Sequence, residues 1–328
     1  MSDAAIRTRS LRRQFGEFVA VDSVDLEIAS GEIYGFLGPN GAGKSTTVRM
    51  LCTLLAPSSG TATVAGFDVG TQAGDVRLRI GVALQEAALD PKQTGRELLR
   101  LQGLLYGLPK SVMAKRVEEL GELIDLSEAM DRPIGTYSGG MKRRLDLAAA
   151  LVHNPQIVFL DEPTTGLDPV SRASVWAEVR RLNTELGMTI FLTTQYLEEA
   201  DELCDRVGII NRGRIVAEGT PEDLKRAVGA DIIIARLDRD AAPVVATILA
   251  LAMVQTVEAH GHELVITAES GSAAISPVAV ALSECDVAVR DLTLRTPTLD
   301  DVFLEMTGSH IEHDDADSES APRKENKR

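Results

Sequence analysis

The chain of 328 residues is short of the features that mark several protein classes. Its three cysteines, Cys52, Cys204 and Cys285, are scattered and include no Cys-x-x-Cys pair. That argues against a disulfide framework or a zinc site and fits buried thiols in a reducing compartment. Histidines number five. His260 and His262 flank Gly261 at an expected hairpin turn, and two imidazoles alone do not make a metal site. Basic residues are outnumbered, with 34 Lys and Arg against 49 Asp and Glu and a formal net charge of −15. Such a field repels phosphate backbones, so general nucleic-acid binding is not expected. Long apolar runs are missing too. The mostly apolar stretch from Ala241 to Val254 is interrupted by Pro243 and Thr247, and a spanning helix needs roughly 20 apolar residues. It reads as a buried helix running into a strand. Met1-Ser2-Asp3 is not followed by the apolar region of a signal peptide.

What is present is a composition of 44% hydrophobic and 25% charged residues, ordinary for a globular chain with one large and one smaller domain. Its organising stretch is Gly38-Pro39-Asn40-Gly41-Ala42-Gly43-Lys44-Ser45-Thr46. The apolar run Ile33 to Leu37 before it suits a buried parallel strand. Val48, Leu51, Cys52 and Leu55 after it fall on one helix face. A glycine-rich loop between strand and helix, ending in Lys-Ser, is a phosphate cradle. Its backbone N–H groups turn inward beside the positive end of the helix. Lys44 can reach the β- and γ-phosphates, and the Ser45 hydroxyl can ligate Mg²⁺. The chain is therefore expected to bind a nucleoside triphosphate.

The remaining pattern alternates strands and helices. Residues 6–28 suggest an antiparallel hairpin or meander before the loop. Phe15 lies in the turn-like Gln14-Phe15-Gly16, either as a core or edge residue or as a stacking face for adenine. Thr61 to Val64 and Ile80 to Leu84 read as strands, the second ending at Gln85. Thr94 and Glu97 form a capping box. Leu98, Leu101 and Leu105 then mark one helix, and Met113, Val117, Leu120 and Ile124 another. Ser138 is a good N-cap for a helix opened by Gly139-Gly140, a second potential anion cradle. Lys142, Arg143 and Arg144 near its start oppose the helix dipole, so something else selects them. Ile157 to Leu160 is a buried strand ending in Asp161-Glu162, a carboxylate pair suited to Mg²⁺ and water positioning. A further buried strand, Thr189 to Leu192, ends in Thr193-Thr194-Gln195. Beyond about Gly229 four strands and two helical stretches suggest a small α/β domain of ferredoxin-like order. The tail 310–328, with His310 and His313, is polar and mixed in charge, as disordered segments are.

Taken together over roughly residues 6–225, these motifs resemble the ATP-binding subunit of an ABC transporter, within it the bacterial drug-efflux (daunorubicin-resistance) group. Gly38 to Thr46 matches the phosphate loop, Gln85 the Q-loop, Tyr137-Ser138-Gly139-Gly140-Met141 the signature, Ile157 to Asp161 with Glu162 the Walker B strand, and Gly166-Leu167-Asp168 the D-loop. A shorter stretch, Pro297 to Leu304, is similar to the ending of such subunits. The resemblance implies an α/β fold: a P-loop ABC-type ATPase domain over residues 1–229, with a helical subdomain at about 86–155, and a small C-terminal α/β domain over 230–309. It implies ATP and Mg²⁺ as cofactors, with Phe15, Gly38, Asn40, Gly41, Gly43, Lys44, Ser45 and Thr46 on the nucleotide and Ser45, Gln85 and Asp161 on the metal. Glu162 would polarise the attacking water, with Lys44 and Gln195 assisting. A second copy would offer Ser138, Gly139 and Gly140 across a head-to-tail sandwich, beside the D-loop with its Asp168. The partner would be a separately encoded permease, placing the subunit on the cytoplasmic face of the cell membrane. Two departures stand out: Tyr137 and Met141 replace the commoner Leu and Gln, and Gln195 replaces the usual switch His, as it does in the drug-efflux group. A rival, a soluble ABC ATPase acting on ribosomes or DNA, is disfavoured by the single cassette, the acidic charge and the lack of a long heptad run.

Overall fold

Runs that are apolar at every position become strands buried on both faces, and these set the architecture. The computed structural model describes residues 4–84, 89–285 and 287–307. The expectations for Gln85, for the N-terminal Met1-Ser2-Asp3 and for the tail 310–328 lie outside the described residues.

β1 (Ala4–Phe15) and β2 (Phe18–Ala29) form an antiparallel hairpin, the first of the two arrangements expected. β3 (Ile33–Leu37), buried at every residue, leads to the phosphate loop, and α1 (Lys44–Leu51) starts beyond it. β4 (Ser59–Val64), β5 (Phe67–Asp68), α2 (Ala73–Arg77) and β6 (Ile80–Ala83) follow. The helical part contains α3 (Gly95–Leu105), α4 (Lys110–Leu123) and α5 (Gly139–Leu151). Next come β7 (Ile157–Asp161), α6 (Pro169–Leu186), β8 (Thr189–Thr194) and α7 (Leu197–Leu203). β9 (Arg206–Asn211), β10 (Arg214–Gly219) and α8 (Pro221–Val228) close the large part. The smaller part runs through β11 (Asp231–Leu237), α9 (Val245–Leu249), β12 (Val254–His260), β13 (Glu263–Ala268), α10 (Gly271–Glu284), β14 (Val289–Arg295) and α11 (Leu299–Thr307).

The large part stacks a sheet of order β2-β1-β4-β5 on a six-stranded sheet of order β10-β9-β3-β8-β7-β6. From β9 to β6 the neighbours run parallel, and β10 is the antiparallel edge. Because side chains alternate across a strand, each central strand feeds two cores. Phe36, Phe159 and Phe191 point toward the antiparallel sheet, and Phe191 meets Phe36 and Phe159 at centroid distances of 5.5 and 5.6 Å. Leu37, Leu160 and Leu192 point the other way, toward the helices.

Local signals behave as their chemistry requires. The Thr94 hydroxyl accepts from the Glu97 N–H, and the Glu97 carboxylate accepts from the Thr94 N–H. Thr220 caps α8 in the same way, accepting from the Asp223 N–H at 3.0 Å. The smaller sheet has the order β12-β13-β11-β14, all antiparallel, with α9 and α10 between its outer strand pairs. That is the ferredoxin-like order. α11 does not stay with this sheet: Leu299, Val302 and Phe303 are buried in the helical-side core of the large part, with Leu197, Ala200, Leu203 and Leu224 of α7 and α8.

Candidate active site

Three adjacent parallel strands bring the predicted groups to one edge. β8 lies between β3 and β7, with Leu37 opposite Thr194 and Asp161 opposite Thr193. The C-terminal ends of these strands therefore present the phosphate loop, Gln195 and the Asp161-Glu162 pair side by side, at the edge where open α/β sheets bind ligands.

The loop is shaped by close backbone approach. Gly43 has a left-handed φ of 113°, and a Cβ there would stand 2.5 Å from the Ala20 carbonyl oxygen. At Gly38 it would stand 2.4 Å from the Ile210 carbonyl oxygen. No side chain fits either place, so the loop stays packed against β2 and β9. That cavity, about 420 Å³, is lined by residues of 39–46, including Asn40, Gly41 and Thr46, together with Phe18, Ala20 and Glu162.

Lys44 is 4% exposed. Its ammonium donates to the carbonyls of Gly38 at 2.7 Å and Pro39 at 3.3 Å, and lies 3.6 Å from the Glu162 carboxylate. Burial pushes its pKa down, and the charges of Glu162 and Asp161 oppose that shift. The Ser45 hydroxyl donates to Asp161 Oδ1 at 3.3 Å, and Thr193 Oγ1 donates to the same oxygen. A hydroxyl and a buried carboxylate side by side supply hard oxygen donors of the kind Mg²⁺ takes alongside phosphate oxygens.

Glu162 follows β7 with a φ of 49°, a conformation non-glycine residues seldom adopt. Its N–H donates to the Thr193 carbonyl at 3.1 Å, which anchors the strained turn, and the Thr165 hydroxyl donates to its carboxylate at 3.4 Å. Strain of this kind gathers at functional sites. Gln195 is the first residue beyond β8 and is buried.

The signature lies elsewhere in the same chain. Ser138 caps α5, accepting from the Met141 N–H at 3.2 Å. Ser138, Gly139 and Gly140 are not among the residues lining the cavity. Gly140 instead sits against α6, where an added Cβ would be 2.9 Å from Ser171 Oγ. Asp168 caps α6, accepting from the N–H groups of Val170 and Ser171 and from the Ser171 hydroxyl. Those bonds, the Ser171 hydroxyl first, hold its carboxyl below the usual range. Signature and D-loop thus form one surface. The Tyr137 departure has a local reason: the ring is buried in the helical part and its hydroxyl donates to the Ala129 carbonyl at 2.6 Å. Met141 is partly buried against the same core.

The basic start of α5 also has its reason. Arg143 donates to the carbonyls of Leu84 at 2.7 Å, Pro163 at 2.8 Å and Asp161 at 3.1 Å. Arg144 donates to the Ile124 carbonyl at 2.8 Å. Loop carbonyls, rather than solvent, select these cations. Sequence reasoning had no means of naming those partners, only the misfit with the dipole. It also passed over Phe18. Phe15 and Phe18 pair across the β1–β2 turn. Phe18 lines the cavity, whereas Phe15 is half exposed beneath the Arg13 guanidinium, 4.4 Å from its ring centroid. A second aromatic three residues beyond Phe15 was the available signal.

Comparison with known proteins agrees with this arrangement. Residues 21–165 match the family model described as ABC transporter, and residues 219–307 match the one described as ATP-binding protein DrrA1-3-like, C-terminal domain. The chain is 46% identical to the daunorubicin resistance ATP-binding protein DrrA3 of Streptomyces coeruleorubidus, over 94% of this chain and 97% of that protein. It is 37% identical to the linearmycin resistance ATP-binding protein LnrL of Bacillus subtilis, over 92% and 98%. Among solved structures it resembles cbiO1 of Clostridium perfringens, part of the ABC transporter complex cbiONQ. That likeness has a TM-score of 0.64 and 26% identity, covering 69% of this chain and 93% of that one.

Proposed function

The chain belongs to the ATP-binding subunits of ABC transporters, in the daunorubicin-resistance group, and we propose that it drives export of a drug-like hydrophobic compound through a separately encoded permease. It is an ABC-type ATPase. The observation that carries the mechanism is the meeting of Lys44, Ser45 and Glu162 at one cavity, with Asp161 accepting from the Ser45 hydroxyl.

The N–H groups of the loop and the start of α1 hold the triphosphate, and Lys44 neutralises its β- and γ-oxygens. Phe15 and Phe18, paired across their turn, supply the adenine face. Ser45 and Asp161, together with Gln85, would hold Mg²⁺, which would neutralise charge developing on the phosphates. Glu162 orients a water for in-line attack: the water oxygen bonds to the γ-phosphorus, the bond to the β–γ bridging oxygen breaks, and the water's proton passes by way of the carboxylate to the released phosphate. Gln195 donates its amide N–H to the transferring group.

A second copy completes the site. Ser138, Gly139 and Gly140 stand away from their own chain's cavity, at a capped helix N-terminus suited to phosphate. In a head-to-tail pair they meet the partner's nucleotide, with Asp168 beside them. No helix among the described residues is long and apolar enough to cross a membrane. Attachment to the cytoplasmic face then comes through the permease. The ATPase unit extends to about Gly229, with the C-terminal unit beyond it. The test is sedimentation of the Glu162→Gln variant with saturating Mg-ATP, with and without the permease encoded nearby. A nucleotide-dependent dimer is expected, and a monomer under both conditions rejects the sandwich.

A further inference from the structure

One buried acid takes no part in phosphate or metal binding. Glu199 lies on α7, one turn beyond Gln195, and its side chain is 0% exposed. Fully buried carboxylates are normally paired with a cation, yet no ion pair to Glu199 occurs among the described residues. Oε1 accepts from the Thr164 hydroxyl at 2.9 Å and from the Trp176 indole N–H at 2.9 Å. Oε2 is buried with no hydrogen-bond partner among the described residues. Desolvation pushes this carboxyl above its usual range, opposed by the hydroxyls of Thr194 and Thr164, the indole and the charge of Arg172. An apolar side chain would fill the space at less cost to stability.

The two donors come from informative places. Thr164 is the second residue after Glu162, and Trp176 lies two turns into α6, the helix that Asp168 caps. A second contact runs in parallel: Arg172, one turn before Trp176, lays its guanidinium 4.3 Å from the ring centroid of Tyr196, the residue after Gln195. Positions 172 and 176 share a helix face, so α6 grips the segment after Gln195 at two points.

We propose that Glu199 is a positioning residue for ATP hydrolysis: by holding Thr164 and Trp176 on one carboxylate oxygen, it fixes the segment carrying Glu162, the helix carrying Asp168 and the helix following Gln195 as one unit. This rests on the ATPase reading above. A hydrolysis cycle needs the base, the switch and the D-loop in register, and misplacement of about 1 Å costs roughly 10²-fold in comparable sites.

The chain has a single tryptophan, so Trp176 fluorescence reports on this junction without background. The experiment uses the full chain with Glu199→Ala, Glu199→Gln and Thr164→Val, measuring kcat and KM for Mg-ATP, nucleotide affinity and Trp176 emission. Glu199→Ala and Thr164→Val are expected to lower kcat by about tenfold or more with KM within about threefold, the pattern of a lost transition-state arrangement. Glu199→Gln keeps an acceptor oxygen for both donors and is expected to retain kcat within about threefold. Mg-ATP is expected to change Trp176 emission in the wild type and in Glu199→Gln, and not in Glu199→Ala. If Glu199→Ala does not fold, Thr164→Val decides. Wild-type kcat in the folded variants overturns the proposal, as does a loss of kcat that merely follows losses of thermal stability and ATP affinity. A wild-type chain that binds but never hydrolyses ATP, alone or with its permease, overturns instead the ATPase reading beneath it.

Discussion

The Lys44 ammonium and the Glu162 carboxylate lie 3.6 Å apart, with 4% and 8% of their side chains exposed. The ammonium is also held by the carbonyls of Gly38 and Pro39, so it stays partnered when the carboxylate is replaced. Phosphate recognition and water activation therefore meet in one ion pair at the floor of the cavity.

Glu162→Gln keeps the shape of the side chain and removes its basicity. Hydrolysis is expected to fall by about 10²- to 10⁴-fold, the range for loss of a positioned acid–base group. ATP affinity should change little, because the loop amides and Lys44 remain. Steady-state turnover alongside fluorescent-nucleotide titration checks both parts, and turnover near wild type would remove Glu162 from its role.

Gln195 follows the strand between the phosphate loop and Asp161. Losing one positioned donor to developing charge costs roughly 10²- to 10³-fold, so Gln195→Ala should slow hydrolysis by about that much and leave binding intact. Gln195→His should keep activity and add a pH dependence near the imidazole pKa of about 6.5, which a carboxamide cannot show. An unchanged rate in Gln195→Ala would mean that the amide only helps to start α7.

Asp146 makes stability depend on pH. Burial, opposed by the Arg143 guanidinium 3.4 Å away, raises its carboxyl to about 6 from an ordinary 3.8. The folded chain therefore binds more protons than the unfolded one between these values, so stability falls as pH rises from about 4 and levels off above about 6. The shift corresponds to about 3 kcal/mol lost across that window. Asp146→Asn should lack this component. Urea midpoints for both proteins from pH 4 to 7.5 should diverge with pH, and parallel curves would contradict the assignment.

Phe303 of α11 is 1% exposed in the core of the large part. Phe303→Ala should destabilise the chain by about 3–5 kcal/mol, the usual cost of emptying an aromatic site. The phosphate and metal groups all precede Gly229, so the ATP affinity of the folded variant should hold. A chain cut at Gly229 loses Leu299, Val302 and Phe303 together and should be less stable than the point variant. Chemical denaturation with parallel nucleotide titration tests this, and an unaffected midpoint in Phe303→Ala would show that the large part does not need α11.

The amino-acid sequence by itself determined whatever depends on neighbours along the chain. The phosphate loop, the Thr94–Glu97 capping box, the Ser138 cap and the wholly apolar strands were legible because backbone conformation, capping and periodicity act over a few residues. The tertiary structure alone decided which distant segments meet. β8 lies between β3 and β7, so Gln195 arrives at a strand end between the phosphate loop and the end of β7. α11 returns to cover α7, although its nine residues read as the end of a separate unit. Phe18 lines the cavity with Phe15 as its cross-strand neighbour, a pairing that only the closed β1–β2 turn sets. The meeting of Thr164, Trp176 and Glu199 on one oxygen had no signal in sequence spacing. Such contacts are chosen by side-chain packing and by pairing buried polar groups across the fold, and those forces act only once the chain has closed on itself.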